Sequence, residues 1–296
     1  MTETTTPTGI LLGTYTPGSP EWDKARAGLC ITATEIAAVM GLSPWQSPFS
    51  LWHKKAGLPT PPFETNPAVE WGNRLEPAVA RKVADEHPEL DLQETGTWRH
   101  ADRAWQRATP DRITAGRLVE CKTSPFGDGW GTSGSDEFPI HYRCQVIWQQ
   151  DTLGLTEPAI LAVLIGGWDY REYLIEYDAA DAKAMRDAAE DFLDTVRRGE
   201  RPPIDGADAT YQTIRVQHEG LEDVDVQVPL DDAVRYEVAQ QQAKSVGLDL
   251  TVAKSVLLDH IGTGKRAVVG DRRIAYRTVR ADGTTNSLQP YRSTTA

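Results

Sequence analysis

Thr109-Pro110-Asp111, followed after a short gap by Val119-Glu120-Cys121-Lys122, is the stretch on which the reading of this chain turns. Apolar residues flank both halves. On a strand, residues i and i+2 project to the same face, about 6.6 Å apart along the strand. Glu120 and Lys122 therefore share a face, and Cys121 points the other way. Asp111, at the end of a neighbouring strand, can converge on Glu120. Two carboxylates on one face repel unless a cation lies between them, and hard oxygen ligands of this kind suit Mg²⁺ or Mn²⁺. Such a metal lowers the pKa of a bound water and steadies a scissile phosphate. Lys122 would then position that water or stabilise charge developing at phosphorus. Taken alone, the pattern describes an ion pair on a sheet edge better than a catalytic floor, so its surroundings have to decide.

Strand-like runs over Thr95–Arg99, Trp105–Thr109 and Arg117–Lys122 carry the pattern. Before them, Thr32 and Glu35 fit a capping box for a helix over Ala33–Met40 that ends at Gly41. A second helix over Pro48–Ala56 stops at Gly57, and Leu58–Pro67 is a Pro-rich connector. A longer helix over Ala68–Glu86 sets Trp71, Leu75, Val79 and Val83 on one apolar face, with a kink or break expected at Pro77. After the strands, the Gly- and Ser-rich Phe126–Ser135 reads as a mobile loop. Ile140–Leu153 reads as a helix closed by Gly154. Ala159–Ile165 and Tyr170–Tyr177 read as strands joined by Gly166-Gly167, and Asp178 as the N-cap of a helix over Ala179–Arg198. This order predicts an α/β core with a mixed central sheet flanked by helices. Arg201-Pro202-Pro203-Ile204-Asp205-Gly206 marks a boundary. The expected organisation is a flexible tail over 1–20, a core domain over 21–203 and a C-terminal appendage over 204–296. In the appendage, one or two helices over Asp231–His260, broken near Gly247, precede a hairpin over Lys265–Val279 that turns at Gly270-Asp271.

With 296 residues, 40% of them apolar and 25% charged, the chain can bury a substantial core. No run of eighteen apolar residues offers a membrane span. The Thr-rich start lacks the basic and apolar segments of a signal peptide, so a frayed polar end and a cytoplasmic location are expected. Three widely spaced cysteines do not make a disulfide framework, nor the four thiolates of an iron–sulfur cluster. Cys121, Cys144 and His141 lack a fourth partner for zinc. Gly262-Thr263-Gly264-Lys265 lacks the leading glycine of a phosphate loop and carries Arg266 where Ser or Thr is needed. The net charge of −12 suits a nucleic-acid enzyme only if charge is segregated. It is: residues 178–230 hold thirteen acids against six bases, and residues 262–292 hold seven bases against two acids. The basic stretch Lys265–Arg280 fits a solvated face better than a DNA contact. Of the nine tryptophans, Trp71, Trp98, Trp105 and Trp148 lie on regular elements and are expected in the core. Trp45 and Trp130 lie in loops near the inferred site, to stack on an unpaired base or to anchor their loops.

Trp71-Gly72-Asn73-Arg74-Leu75-Glu76 precedes the strands on a helix, and His141-Tyr142-Arg143-Cys144-Gln145-Val146 follows them on another. Ile31-Thr32-Ala33-Thr34-Glu35, Gly41-Leu42-Ser43-Pro44-Trp45 and Leu51-Trp52 complete an ordered set. In this set, over about residues 22–203, the sequence resembles the YqaJ-like viral recombinase family. These are relatives of the phage lambda exonuclease within the PD-(D/E)xK nuclease superfamily, so the resemblance implies a restriction-endonuclease-like core. It implies that Asp111, Glu120 and the helix carboxylate Glu76 bind the metal, with the Cys121 backbone carbonyl as a further ligand. Lys122 matches the catalytic lysine, and Gln145 the glutamine that supports the lysine or the attacking water. Arg26 and Thr34 match the pocket for a DNA 5′-phosphate, with Lys24 as the alternative to Arg26 because the spacing carries one extra residue. Asp102 lies near a family acid, one residue out of register.

The resemblance further implies a Mg²⁺-dependent (or Mn²⁺-dependent) 5′-to-3′ exonuclease acting on ends of linear double-stranded DNA. It would leave 3′ single-stranded tails for homologous recombination, encoded by a phage. A homo-oligomeric ring, a trimer in the lambda enzyme's image, and a single-strand annealing protein as partner are implied in the same way. Two rivals share the core: a structure-specific or restriction-like endonuclease, and a non-catalytic DNA-end-binding module.

Overall fold

The computed structural model describes residues 6–62 and 66–291. The start of the polar end, residues 1–5, and residues 63–65 of the Pro-rich connector lie outside the described residues. The chain divides into two compact units, Met1–Glu219 and Gly220–Ala296.

The first unit opens with β1 (Gly9–Gly13), α1 (Pro20–Arg26), β2 (Ile31–Thr32) and α2 (Ile36–Val39). It continues with α3 (Pro48–Lys55), α4 (Pro67–Glu86), β3 (Gln93–Glu94), β4 (Thr97–His100), β5 (Gln106–Ala108), β6 (Arg112–Ile113) and β7 (Leu118–Ser124). It closes with α5 (Ile140–Leu153), β8 (Ala159–Ile165), β9 (Asp169–Ile175), α6 (Ala179–Arg198) and α7 (Asp208–Arg215). A five-stranded sheet runs β3-β6-β7-β8-β9, parallel only between β7 and β8. A smaller sheet runs β1-β4-β5-β2. The predicted mixed α/β core is therefore present.

Alternation along β7 and β8 sorts the interior into two layers. Leu118, Leu161 and Val163 join the buried side chains of α5 and α6. Val119, Cys121, Ile160 and Ala162 pack instead against Val79, Ala80 and Val83 of α4. Ten consecutive residues of α5, Cys144 to Leu153, are buried, and Trp148 is fully enclosed.

Four expectations are corrected. Residues 9–13 are not a loose tail: β1 pairs with β4, Gly9 opposite His100. Its Ile10 and Leu11 remain 41% and 48% exposed, so it is held by backbone pairing with little apolar burial to announce it. Trp71 is not in the core but 58% exposed, because α4 buries only Val79, Ala80 and Val83 in its second half. Of the kink or break expected at Pro77, the break does not form: the helix runs through it. Proline has no amide to bond the carbonyl of Asn73, and Asn73 is an exposed residue. Finally, the boundary at 203 falls inside the first unit. α7 packs on α3, with Thr210 Oγ1 2.7 Å from Ser47 Oγ and Gln217 Nε2 donating to the Pro59 carbonyl at 2.7 Å.

The second unit holds α8 (Leu230–Ile261) and an antiparallel sheet of β10 (Arg266–Val269), β11 (Arg272–Val279) and β12 (Thr285–Pro290). Ala267, Ala275 and Leu288 form its small core with Leu257, Leu258, Ile261 and Ile274. α8 is continuous across Gly247, and the hairpin gains a third strand. Arg277 donates to the carbonyls of Gly262 (2.8 Å) and Thr263 (2.9 Å), so part of the basic stretch closes the end of α8.

Candidate active site

β7 carries Glu120 and Lys122 on the face that α5 covers, with Glu120 opposite Leu161 of β8 in the parallel pairing. Glu120 is 2% exposed. A buried carboxylate needs donors on both oxygens, and the helix supplies them. Gln145 Nε2 and Lys122 Nζ both donate to Glu120 Oε1. Gln149 Nε2 donates to Glu120 Oε2 at 3.0 Å. Gln145 and Gln149 are one helical turn apart, so both reach the same carboxylate. Asp111 enters from the turn before β6, and its Oδ2 accepts the Cys121 amide at 2.7 Å. Burial, with the charge of Glu120 beside it, pushes the Asp111 carboxyl up to about 8. Burial works against the Lys122 ammonium, but Glu120 and Asp111 outweigh it and raise its pKa. Lys122 stays a cation across the ordinary pH range.

Above Lys122 the Tyr142 ring lies 5.4 Å from the ammonium. Trp130 stacks on Tyr142 with centroids 5.4 Å apart, and the His141 ring is tilted against it at 4.1 Å. Burial, helped by the charge of Lys122, drives His141 down to about 4, so it is neutral at pH 7. Trp45 meets His141 edge-on at 4.6 Å and is 67% exposed. Trp130 is 7% exposed, packed on Tyr142 and Tyr173. It anchors its loop and offers no face to a base. That loop is tied down rather than mobile at its centre: the Gly131 carbonyl accepts from Arg171 Nη1 and from Tyr173 Oη, both at 2.7 Å.

A second cluster lies where β2 turns into α2. Arg26 Nη2 donates to Thr34 Oγ1 at 2.9 Å, its guanidinium 4.0 Å above the Trp22 ring. Glu35 accepts the Thr32 amide at 3.1 Å, the half of the capping box that forms. The expected return bond, from the Glu35 amide to the Thr32 side chain, is replaced by one to the Thr32 carbonyl at 2.9 Å. The helix therefore starts at Ile36 and makes a single turn. Glu35 also takes Lys54 Nζ at 3.0 Å and Lys55 Nζ at 2.8 Å. Burial would raise its carboxyl, but the two lysines and the Thr32 amide overcome this and hold it at about 2.

The comparisons with known proteins can be set against this geometry. The profile of the YqaJ-like viral recombinase domain matches residues 21–155, which span Arg26, Thr34, Glu76, Asp111, Glu120, Lys122 and Gln145. Residues 21–155 are thus similar to the YqaJ-like viral recombinase domain. Over 197 residues, 64% of the chain, the sequence is 28% identical to an uncharacterized protein YqaJ of Bacillus subtilis (strain 168). That match spans 60% of the relative's own length. Among solved structures, an alkaline exonuclease from Laribacter hongkongensis is similar at 20% identity, with a TM-score of 0.49. That similarity covers 62% of this chain and 94% of the other. A phage-related exonuclease from Haemophilus somnus is similar at 13% identity, with a TM-score of 0.40, over 57% of this chain and 96% of that one.

Within the matched stretch, Asp111, Glu120, Lys122 and Gln145 come together, and Arg26 meets Thr34. Lys24 is exposed on α1, so Arg26 is the residue at Thr34. Asp102 is exposed in the turn after β4, its amide bonded to His100 Nδ1. Glu76 is engaged elsewhere: Arg112 Nη1 lies 2.8 Å from its Oε1, an ion pair without hydrogen-bond alignment. Its charge still contributes to raising Asp111. Among the described residues, no three His, Cys, Asp or Glu side chains group closely enough to cage a metal. The donor set nonetheless fits a hard divalent cation at Asp111 and Glu120: both are buried oxygen donors, and burial first, then the Glu120 charge, raises the Asp111 carboxyl. The Cys121 amide is turned to Asp111, and its thiol lies in the α4 layer. Sequence reasoning missed Gln149, although its spacing of four from Gln145 was a readable signal. It also missed Arg112 and the Glu35–Lys54–Lys55 cluster, which no short motif announces.

Proposed function

We propose that this chain is a divalent-metal-dependent exonuclease that degrades the 5′-ended strand of linear double-stranded DNA, leaving a 3′ tail for recombination. The observation that carries the reading is the buried Glu120 carboxylate. It lies beside Asp111 and receives Lys122 and Gln145 on one oxygen and Gln149 on the other. The YqaJ-like domain supports a recombination role. Asp111 and Glu120 would hold Mg²⁺ or Mn²⁺, with the Cys121 carbonyl as a further ligand and Glu76 joining on release from Arg112. Once bound, the metal supplies an activated water and charge neutralisation at the phosphate. The chain's own residues do the rest. Lys122, a permanent cation, stabilises charge developing on the phosphate oxygens. Gln145 and Gln149 fix the Glu120 carboxylate so that its lone pairs need no reorganisation. Arg26 and Thr34 would receive the 5′-phosphate and so set the direction of cutting. With α2 only one turn long, this pocket rests on the guanidinium and the hydroxyl rather than on a helix dipole. A ring-forming homo-oligomer, an annealing-protein partner, a phage origin and a cytoplasmic place of work belong to the same proposal.

The test is digestion of 5′-phosphorylated linear duplex with Mg²⁺ beside a closed circle of the same DNA. The linear form is degraded and the circle survives; equal cutting of both means an endonuclease on the same core. Glu120→Gln and Lys122→Ala abolish cleavage while far-ultraviolet circular dichroism is unchanged. Cleavage retained by either moves the chemistry elsewhere. Arg26→Ala selectively slows degradation of 5′-phosphorylated ends.

A further inference from the structure

A cavity of about 950 Å³ opens beside Trp45, within the first unit and apart from the Glu120 carboxylate. Its walls come from the 43–47 turn, α3, residues 60–62 and α7. Polar groups face it from several sides, among them Ser43, Gln46 and Gln212. Trp45 lines the cavity and is 67% exposed overall, and its ring meets His141 edge-on. His141 abuts Tyr142, whose ring stands over Lys122. The cavity is therefore joined to the catalytic floor by three ring contacts. A second feature points the same way. Lys54 lines the cavity, and its side chain is 56% exposed although its ammonium bonds Glu35 Oε1. An ammonium has three donors, so Glu35 orients Lys54 without exhausting it. Lys55 also pairs with Glu35, at 2.8 Å, so two ammonium groups share this one carboxylate. The cavity's single acid among the described residues, Asp208, is on the α7 wall.

An aromatic face, a positive charge set beside it and side-chain amides around the rim are what single-stranded nucleic acid requires: stacking for bases and cations for the backbone. We propose that this cavity is a subsite for unpaired DNA, in which a base stacks on Trp45 and a neighbouring phosphate meets Lys54, held in place by Glu35. The site rests on the nuclease reading for its purpose. Strand attacked at Lys122 would keep its next nucleotides out of the duplex here, which lets a base be separated from its partner before the bond is cut. Lys54 acts on the strand directly; Glu35 is a positioning residue.

The experiment uses the full chain in EDTA, so that no strand is cut, with a fluorescein-labelled oligothymidylate as probe and anisotropy as readout. Trp45→Ala weakens binding on the order of ten-fold. Trp45→Phe, which keeps a stacking face, restores most of it. Lys54→Ala weakens binding and flattens its salt dependence. Glu35→Gln reproduces the Lys54 effect while Lys54→Ala adds little on top of it. Wild-type affinity in Trp45→Ala overturns the subsite, and so does loss of binding equally in Trp45→Ala and Trp45→Phe. The nuclease reading is tested apart from it by Mn²⁺-dependent hydrolysis of bis(p-nitrophenyl) phosphate, a substrate too small to need the cavity. The wild-type protein hydrolyses it and Glu120→Gln does not. If the wild-type protein hydrolyses nothing but binds the oligothymidylate through Trp45, the nuclease reading fails and the subsite stands.

Discussion

Asp111 is the residue whose chemistry depends most on its surroundings. Its carboxyl, ordinarily near 3.8, is raised to about 8 by burial and by Glu120. Across that interval the folded protein holds a proton that the unfolded chain has shed, so the Asp111 contribution to metal-free stability declines as pH rises from about 4 to 8, while His141, held down to about 4 from 6.5, works the opposite way below 6.5. Thermal melts in EDTA from about pH 6.5, where His141 no longer opposes it, to about pH 8.5 should show this decline, and Asp111→Asn should remove it and stabilise the metal-free protein at the upper end by on the order of 2 kcal/mol. A variant that melts with the wild-type slope would mean the carboxyl is not where the proton sits. A divalent cation competes for the same oxygens, so its affinity should climb through the same pH window, read by calorimetry. Gln149 offers a complementary case. Removing it as Gln149→Ala leaves Glu120 Oε2 buried without its donor. A loss of about 1–3 kcal/mol in chemical denaturation and a slower cleavage rate are expected together. Loss of rate without loss of stability would assign Gln149 to substrate rather than to the carboxylate.

At the scale of elements, periodicity and capping made the long pieces legible and backbone pairing hid the short ones. α5 ends at the predicted Gly154, and α6 starts from the predicted Asp178, whose side chain accepts the amides of Ala180 and Asp181. The Asp111, Glu120 and Lys122 arrangement was visible because strand period alone sets which side chains share a face. β1, β2, β3 and β6 were not visible: three are two residues long, and β1 hides its edge behind exposed apolar side chains. α8 shows the opposite error. A mid-helix glycine costs only about 1 kcal/mol against alanine, too little to break a run whose flanks are good helix formers. Gly247 has open space where a Cβ would stand and an ordinary helical φ. Gly247→Ala should therefore raise the helical signal at 222 nm and stabilise the second unit by roughly 1 kcal/mol. A destabilised variant would show that something covers that face in solution.

For the whole molecule, the partition at Glu219 makes a direct prediction about truncation. A chain ending at Glu219 keeps α7 on α3 and should melt cooperatively. One ending at Pro203 strips Thr210 from Ser47 and Gln217 from the Pro59 carbonyl, and uncovers the face of α3 beneath. It should lose several degrees of melting temperature or precipitate; equal melting of the two would restore the earlier boundary. The charge segregation read in the sequence assigns acids mainly to α6 and the segment leading to α8, and bases mainly to β10 and β11.

The cysteines give the same partition a time axis. Cys30, Cys121 and Cys144 are all buried, and burial raises each thiol above its usual range. Only the thiolate reacts with an alkylating reagent, so in the native state labelling must wait for the fold to open. Cys121 sits on the strand that carries Glu120 and Lys122, on its opposite face. Its labelling rate is a clock for how often β7 comes away from α4. No cysteine lies beyond residue 144, so unfolding of Gly220–Ala296 alone leaves no mark on that clock.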